Sequence, residues 1–259
     1  MGTRLKNAPL VEVVIELKWK LTQPSNSITP GIKIDPEYSL LLGRLSEKLS
    51  SEYPFHERLP TASMPDEMAN YIVQHRFRRE KDKWPLVQLG PGILTLNETE
   101  NYDWPDFEKR VKKVIEVFFI CYPNPKKISI SELTLRYIDG VFLDYQKENA
   151  LDFLKNKMKI NITTPQSLFK GTNVKNFPLG YDIRLIYPYS EKQSVASIRF
   201  ALGKKYNKNA LIWETLVSTQ NRKGIQKPKD ILSWFDKSHN LTHNWFEKIC
   251  AGPLMESFG

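Results

Sequence analysis

The chain has 259 residues, 41% of them hydrophobic and 12% aromatic, with a formal net charge of +9. That apolar content can bury one sizeable core or two modest ones, which excludes a disordered chain. The longest apolar run, residues 117–122, is far too short for a membrane-spanning helix.

Near the start, Val11, Val13, Ile15, Leu17 and Trp19 alternate with Glu12, Glu16, Lys18 and Lys20, with Val14 the one exception. A period of two predicts a strand with one buried and one wet face, as in an antiparallel sheet. After the Pro/Ser/Asn-rich stretch TQPSNSITPG, Tyr38, Leu41, Leu42, Leu45 and Leu49 recur at helical spacing. Residues 51–68 read as irregular. YIVQHRFRRE, residues 71–80, alternates again, with Tyr71, Val73, His75 and Phe77 on one face and Arg76 and Arg78 on the other.

The next segment, VQLGPGILTLNETENYDW, holds Gly90-Pro91-Gly92 inside a strand pattern. A phosphate loop needs backbone N–H groups aimed at the anion from the mouth of a helix. Pro91 removes a donor, no Lys-Ser/Thr follows and the chain continues as strand, so a turn or bulge is expected. A helix opens after Asp103, with Pro105 in its first turn and a stripe of Trp104, Phe107, Val111, Val114, Ile115, Phe118 and Tyr122. Then come the strand SISELTLRYIDGVFL, a short helix around Ala150 to Met158, and a Pro/Gly-punctuated loop over residues 163–180. Three strands follow, around Ile183–Tyr187, Ala196–Leu202 and Leu211–Val217, and a helix from about Pro228 to Cys250 closes the chain. Mixed strands with few strand–helix alternations predict an α+β fold, a predominantly antiparallel sheet with amphipathic helices packed on one face. No repeat or linker marks a boundary. A single domain over residues 1–259 is expected, with sub-lobes 1–145 and 146–259 as the alternative.

Charge is uneven along the chain. Residues 1–150 hold 21 basic and 21 acidic side chains, whereas residues 151–259 hold 17 basic and 8 acidic. The excess sits in polar loops such as KGTNVKN, GKKYNKN and NRKGIQKPK, so it reads either as a solvated surface or as a footprint for nucleic acid, anionic lipid or an acidic partner. Glu12 and Glu16 interrupt the first apolar stretch, so no signal sequence is expected. Lys6 stands where a myristoylation pattern wants Ser or Thr. Cys121 and Cys250 fall in separate predicted helices, as suits a reducing compartment, and a cytoplasmic protein is expected.

No local constellation carries catalysis. His239 and His243 share a helix face with Asp236 and Glu247, but Asn240 and Leu241 replace the pattern of a hydrolytic zinc site. The favoured reading is a boundary histidine, bonded to a strand carbonyl or to Glu214. The nucleophile elbow and the deaminase motif are absent, and the one Glu-x-Lys pair, Glu16 and Lys18, lacks an upstream acid. No cofactor, no metal and no catalytic residue are expected, and a binding protein is favoured over an enzyme. Two binding constellations remain. Arg76, Arg78 and Arg79, with Lys81 and Lys83, suit a phosphate backbone, with Phe77 or Trp84 stacking a base. A sheet face carrying Glu12, Glu16, Arg136, Arg184 and Glu214 suits either a charge ladder or the floor of a polar pocket.

The segments NAPLVEVVIELKW, VQLGPGILTLNETENYDWPDF, LTLRYIDGVFL, ALIWETLV and ILSWFDKSHNLTHNWFEKI occur in that order. Together they resemble a sporadically distributed bacterial and archaeal family of similar length, across nearly the whole chain from Leu5 to the last helix. The loops at 22–36 and 163–180 carry none of the pattern. The resemblance brings no catalytic residues. Its patchy distribution implies a mobile or phage-defence gene set. The expected function is a non-catalytic recognition or sensor component that binds a partner protein or a small ligand. The alternative is a nucleic-acid-binding protein using the basic 76–83 strand and the basic C-terminal half.

Overall fold

The alternating segment at the start of the chain forms β1 (Leu10–Trp19), and both of its edges are paired. The computed structural model describes residues 5–23, 33–99, 102–176, 178–219 and 225–259. Most of the TQPSNSITPG stretch and part of NRKGIQKPK lie outside these residues. Eight more strands join β1: β2 (Phe55–Arg58), β3 (His75–Arg78), β4 (Leu86–Gly90), β5 (Ile93–Glu98), β6 (Ile130–Phe142), β7 (Asp182–Tyr189), β8 (Ser194–Lys205) and β9 (Lys208–Thr219). They make one antiparallel sheet in the order β2-β3-β4-β5-β1-β6-β9-β8-β7. The sheet runs unbroken across residue 145, because β6 pairs with β9.

Register turns the alternation into two surfaces. Ile15 stands opposite Leu135, Leu135 opposite Val217 and Val217 opposite Ala196, so one apolar row crosses four strands. This face is covered by α1 (Tyr38–Leu49), α2 (Trp104–Cys121) and α4 (Pro228–Cys250), whose Leu41, Leu45, Phe107, Val111, Phe118, Trp234 and Phe235 are buried in one cluster with the apolar side chains of β1, β5 and β6. A second cluster forms where α3 (Ala150–Met158), α5 (Pro253–Ser257) and the end of α4 meet Phe200, Leu211 and Trp213. Each large apolar side chain taken out of water contributes roughly 1.5–3 kcal/mol, so this face supplies most of the driving force. The amphipathic helices on one face of an antiparallel sheet are thus the α+β arrangement expected from the periodicity.

Helix starts follow local chemistry. The Asp103 carboxylate accepts the Asp106 N–H at 3.4 Å to cap α2, and Asn149 accepts the Leu151 N–H at 3.0 Å to cap α3. Pro228 opens α4, where a missing N–H is harmless.

Two local expectations change. The irregular 51–68 stretch contains β2, and residues 71–74 leave the strand that their alternation suggested. Tyr71 has φ +60° and donates its N–H to the Pro91 carbonyl, so it does not share a strand face with His75 and Phe77. The cause is the Gly-Pro-Gly segment, which forms the two-residue turn between β4 and β5. A Cβ on Gly90 would sit 1.9 Å from the Ile72 carbonyl oxygen, so residues 71–73 can lie against this hairpin only over a bare glycine.

Candidate ligand-binding face

Among the described residues, no helix covers the other face of the sheet. From β2 to β7 its rows bring Glu57, Arg76, Gln88, Thr95, Glu16, Thr134, Arg136, Glu214, Arg199 and Arg184 onto one side. Acidic Glu12, Glu16, Glu57, Glu132, Asp182 and Glu214 answer basic Lys18, Arg76, Arg78, Arg136, Arg184 and Arg199 on this face, and Lys205 and Lys208 at the β8–β9 end add two further positive charges.

Most of these groups are committed to one another. Arg76 Nε donates to Gln88 Oε1 at 2.8 Å. The Gln88 amide donates to Thr95 Oγ1 and Asn97 Oδ1, and Asn97 Nδ2 donates to Glu12 Oε1 at 2.8 Å. At the other end Arg199 grips Asp182 with two hydrogen bonds, which holds that carboxyl below the usual carboxylate range, and Arg184 Nη2 reaches Glu214 at 3.1 Å. Lys18 lies 2.7 Å from Glu16 and 3.5 Å from Glu132. Burial opposes its charge, yet the two acids outweigh burial and its pKa is raised.

Arg136 is the exception at the centre. It stands opposite Val14 and Leu216, so its diagonal neighbours are Glu12, Glu16 and Glu214. Those acids are engaged by Asn97, Lys18 and Arg184 respectively. Arg136 Nε is buried without a hydrogen-bond partner, and Arg136 makes no ion pair among the described residues. A buried donor left unsatisfied costs about 1–3 kcal/mol.

The residues expected from sequence divide between faces. Arg76, Arg78, Arg136, Arg184 and Glu214 share the open face. Arg79 is exposed beyond the end of β3 and joins no cluster. Arg78 is only 9% exposed, which corrects the expectation of a wet-face side chain. It bonds Glu57 at 3.2 Å and the Lys83 carbonyl at 3.0 Å and lies over the Trp84 ring at 5.7 Å. The indole expected to stack a base is therefore already engaged by Arg78.

His239 lies on the opposite, helix-covered side, so it is separated from Glu214 by the sheet. Its ring stacks on Trp104 at 3.7 Å, and Nδ1 bonds the Tyr137 hydroxyl at 2.9 Å, which in turn bonds the Tyr102 hydroxyl at 2.6 Å. Burial, helped by His243, lowers its pKa to about 3, so it is a neutral packing element between α2 and α4. Asp139, two residues after Tyr137, is buried on the same side. Burial raises its pKa to about 7, with Lys205 partly opposing the shift. Period-two alternation from Tyr137 already places residue 139 on the apolar face, so that much is legible in LRYID. The carboxyl's burial is a tertiary fact. His56 and His75 bond each other at 2.9 Å across β2 and β3. Among the described residues, no group of three or more His, Cys, Asp and Glu is arranged to hold a metal ion.

The strand pattern does not mark a cavity of about 340 Å³ at the rim of the open face, lined by Lys18, Lys20, Lys33, Tyr71 and Glu132 among others. Lys18 and Lys20 follow the alternation read from the sequence, whereas Lys33 and Tyr71, the latter expected on a strand face, arrive from irregular segments. No helix among the described residues is long and apolar enough to cross a membrane. Among known proteins, no family model matches the chain and no curated protein matches it.

Proposed function

We propose that the chain is a non-catalytic recognition component whose open sheet face binds a partner protein or a polar ligand. One observation carries this reading: Arg136, at the centre of a face otherwise satisfied by internal bonds, has a buried Nε with no partner. An acceptor on the bound molecule would complete it, and the surrounding network would hold the guanidinium in place. Membership of a mobile or phage-defence gene set rests on the patchy distribution of the resembled family alone. The nucleic-acid reading is the weaker, because Arg76 and Arg78 are tied to Glu57.

The test is quantitative capture from extracts of cells carrying the gene, comparing wild type with Arg136→Met, which keeps the aliphatic stem and removes the guanidinium. A molecule retained by wild type and by Lys112→Met, but depleted with Arg136→Met, is the expected result. Identical capture profiles would sink the proposal. In parallel, labelled RNA and DNA are titrated at about 50 and 200 mM salt, where six to ten phosphate contacts would lose roughly 10³–10⁵ in affinity. A steep loss of that size would put nucleic acid first.

A further inference from the structure

The rim cavity beside the Gly-Pro-Gly turn is built from fixed parts. Lys18 and Lys20 project from the end of β1, where the Lys20 N–H is held by the Ser129 carbonyl at 2.8 Å. Lys33 is placed by the reciprocal bonds of the adjoining Thr22–Ile34 bridge, both 2.9 Å, and by Asp35, whose carboxylate accepts the Trp19 indole N–H at 2.8 Å. Tyr71 is held in its left-handed conformation over Gly92, whose own positive φ and missing Cβ make room for the ring. A non-glycine residue at positive φ is a strained choice that the surroundings must enforce.

Charge in the cavity is only half answered. Glu16 and Glu132 neutralise Lys18, whereas Lys20 and Lys33 have no ion-pair partner among the described residues. The Ser131 and Tyr71 hydroxyls at the same cavity also make no hydrogen bond there. Two ammonium groups without an ion pair and two hydroxyls without a hydrogen bond among the described residues thus line one half-open cavity beside the Lys18–Glu132 pair. A tetrahedral oxyanion offers several acceptor oxygens and the compensating charge. About 340 Å³ leaves room for a small organic group beside it.

We infer that this cavity binds the phosphoryl group of a small molecule, held by Lys20, Lys33, Ser131 and Tyr71, with Lys18 and Glu132 as its floor. The inference rests on the recognition reading in that it places a ligand at the rim of the same face. It does not use Arg136. The glycines contribute by letting Tyr71 approach, not by presenting their N–H groups to the anion.

The experiment is calorimetric titration and thermal unfolding with inorganic phosphate, AMP and glucose 6-phosphate at about 50 mM salt, where screening is modest. Wild type, Lys20→Gln/Lys33→Gln, Tyr71→Phe and Lys112→Met are compared, after circular dichroism shows that each is folded. Saturable binding weakened about tenfold or more by the double lysine variant, and unchanged by Lys112→Met, is expected. Tighter binding of a phosphomonoester than of inorganic phosphate identifies an organic ligand, and equal binding identifies free phosphate. No saturable binding, or binding indifferent to the two lysines, overturns the inference. So does lysine dependence seen only with RNA or DNA oligomers. If phosphate fails while Arg136-dependent capture persists, the recognition reading stands without this site.

Discussion

At the scale of single residues, the buried titratable groups make opposing demands. The folded chain keeps Asp139 protonated up to about pH 7, whereas an unfolded carboxyl titrates near 3.8. Its contribution is therefore full below pH 3.8 and is lost as pH rises through 7, by about 1.4 kcal/mol per unit in between. His239 acts the other way. The unfolded imidazole takes up a proton near 6.5 and the folded one only near 3, so stability is lost as pH falls through that window. His75, lowered to about 4 by burial and its histidine and arginine neighbours, adds to the second slope. Between about 3.8 and 6.5 the two slopes oppose. Asp139→Asn should unmask the histidines: urea midpoints should rise relative to wild type at pH 8, and the variant should lose stability on acidification more steeply. A parallel offset between variant and wild type at all pH values would contradict this assignment. Cys121 and Cys250 are buried, and burial, with Asp139 adding, pushes the Cys250 thiol up to about 12. A thiol reagent should therefore modify neither in the native protein and both after denaturation, measured by mass.

At the scale of elements, caps and turns carry the local decisions. Removing the α2 cap with Asp103→Ala should cost about 1 kcal/mol, visible as a lowered denaturant midpoint with an unchanged slope. The hairpin turn is stricter. Gly90→Ala places a methyl on the Ile72 carbonyl, a backbone contact that cannot swing aside, and should cost several times the cap's loss, roughly 3 kcal/mol or more. An unperturbed midpoint for Gly90→Ala would show that residues 71–73 do not lie where they are described. The same turn explains why YIVQHRFRRE ends as a short β3. Its alternation is real, but the Tyr71 N–H bonds the Pro91 carbonyl across the hairpin and spends no donor on a ladder.

At the scale of the whole molecule, protection should follow strand position. β1, β6 and β9 lie inside the sheet beneath helices, while β2 and β7 are its edges. Hydrogen exchange followed by mass spectrometry should find the slowest amides in β1, β6 and β9 and fast exchange in β7 and residues 163–176. Uniform protection across the nine strands would be inconsistent with this layering. The charge distribution also changes meaning at this scale. On the open face Arg184 and Arg199 are answered by Glu214 and Asp182, whereas Lys205 and Lys208 have no ion-pair partner among the described residues.

The sequence by itself determined the long helices and most of the strands, though not β2 or the start of β3, because burial at periods of 2 and 3.6 leaves its mark on residue type. It also determined that Gly90-Pro91-Gly92 is a turn, since Pro91 has no N–H to give. Only the tertiary structure decided which strands are neighbours, and with that which charges meet. Arg136 is the one arginine in LTLRYID, and its isolation arises because Asn97, Lys18 and Arg184 reach its acidic neighbours first. Lys33 and Tyr71 likewise come to Lys20 from remote, irregular segments. Period and propensity are local properties of a chain. The partner of a charge is set by register and by the path of loops, and those carry no period.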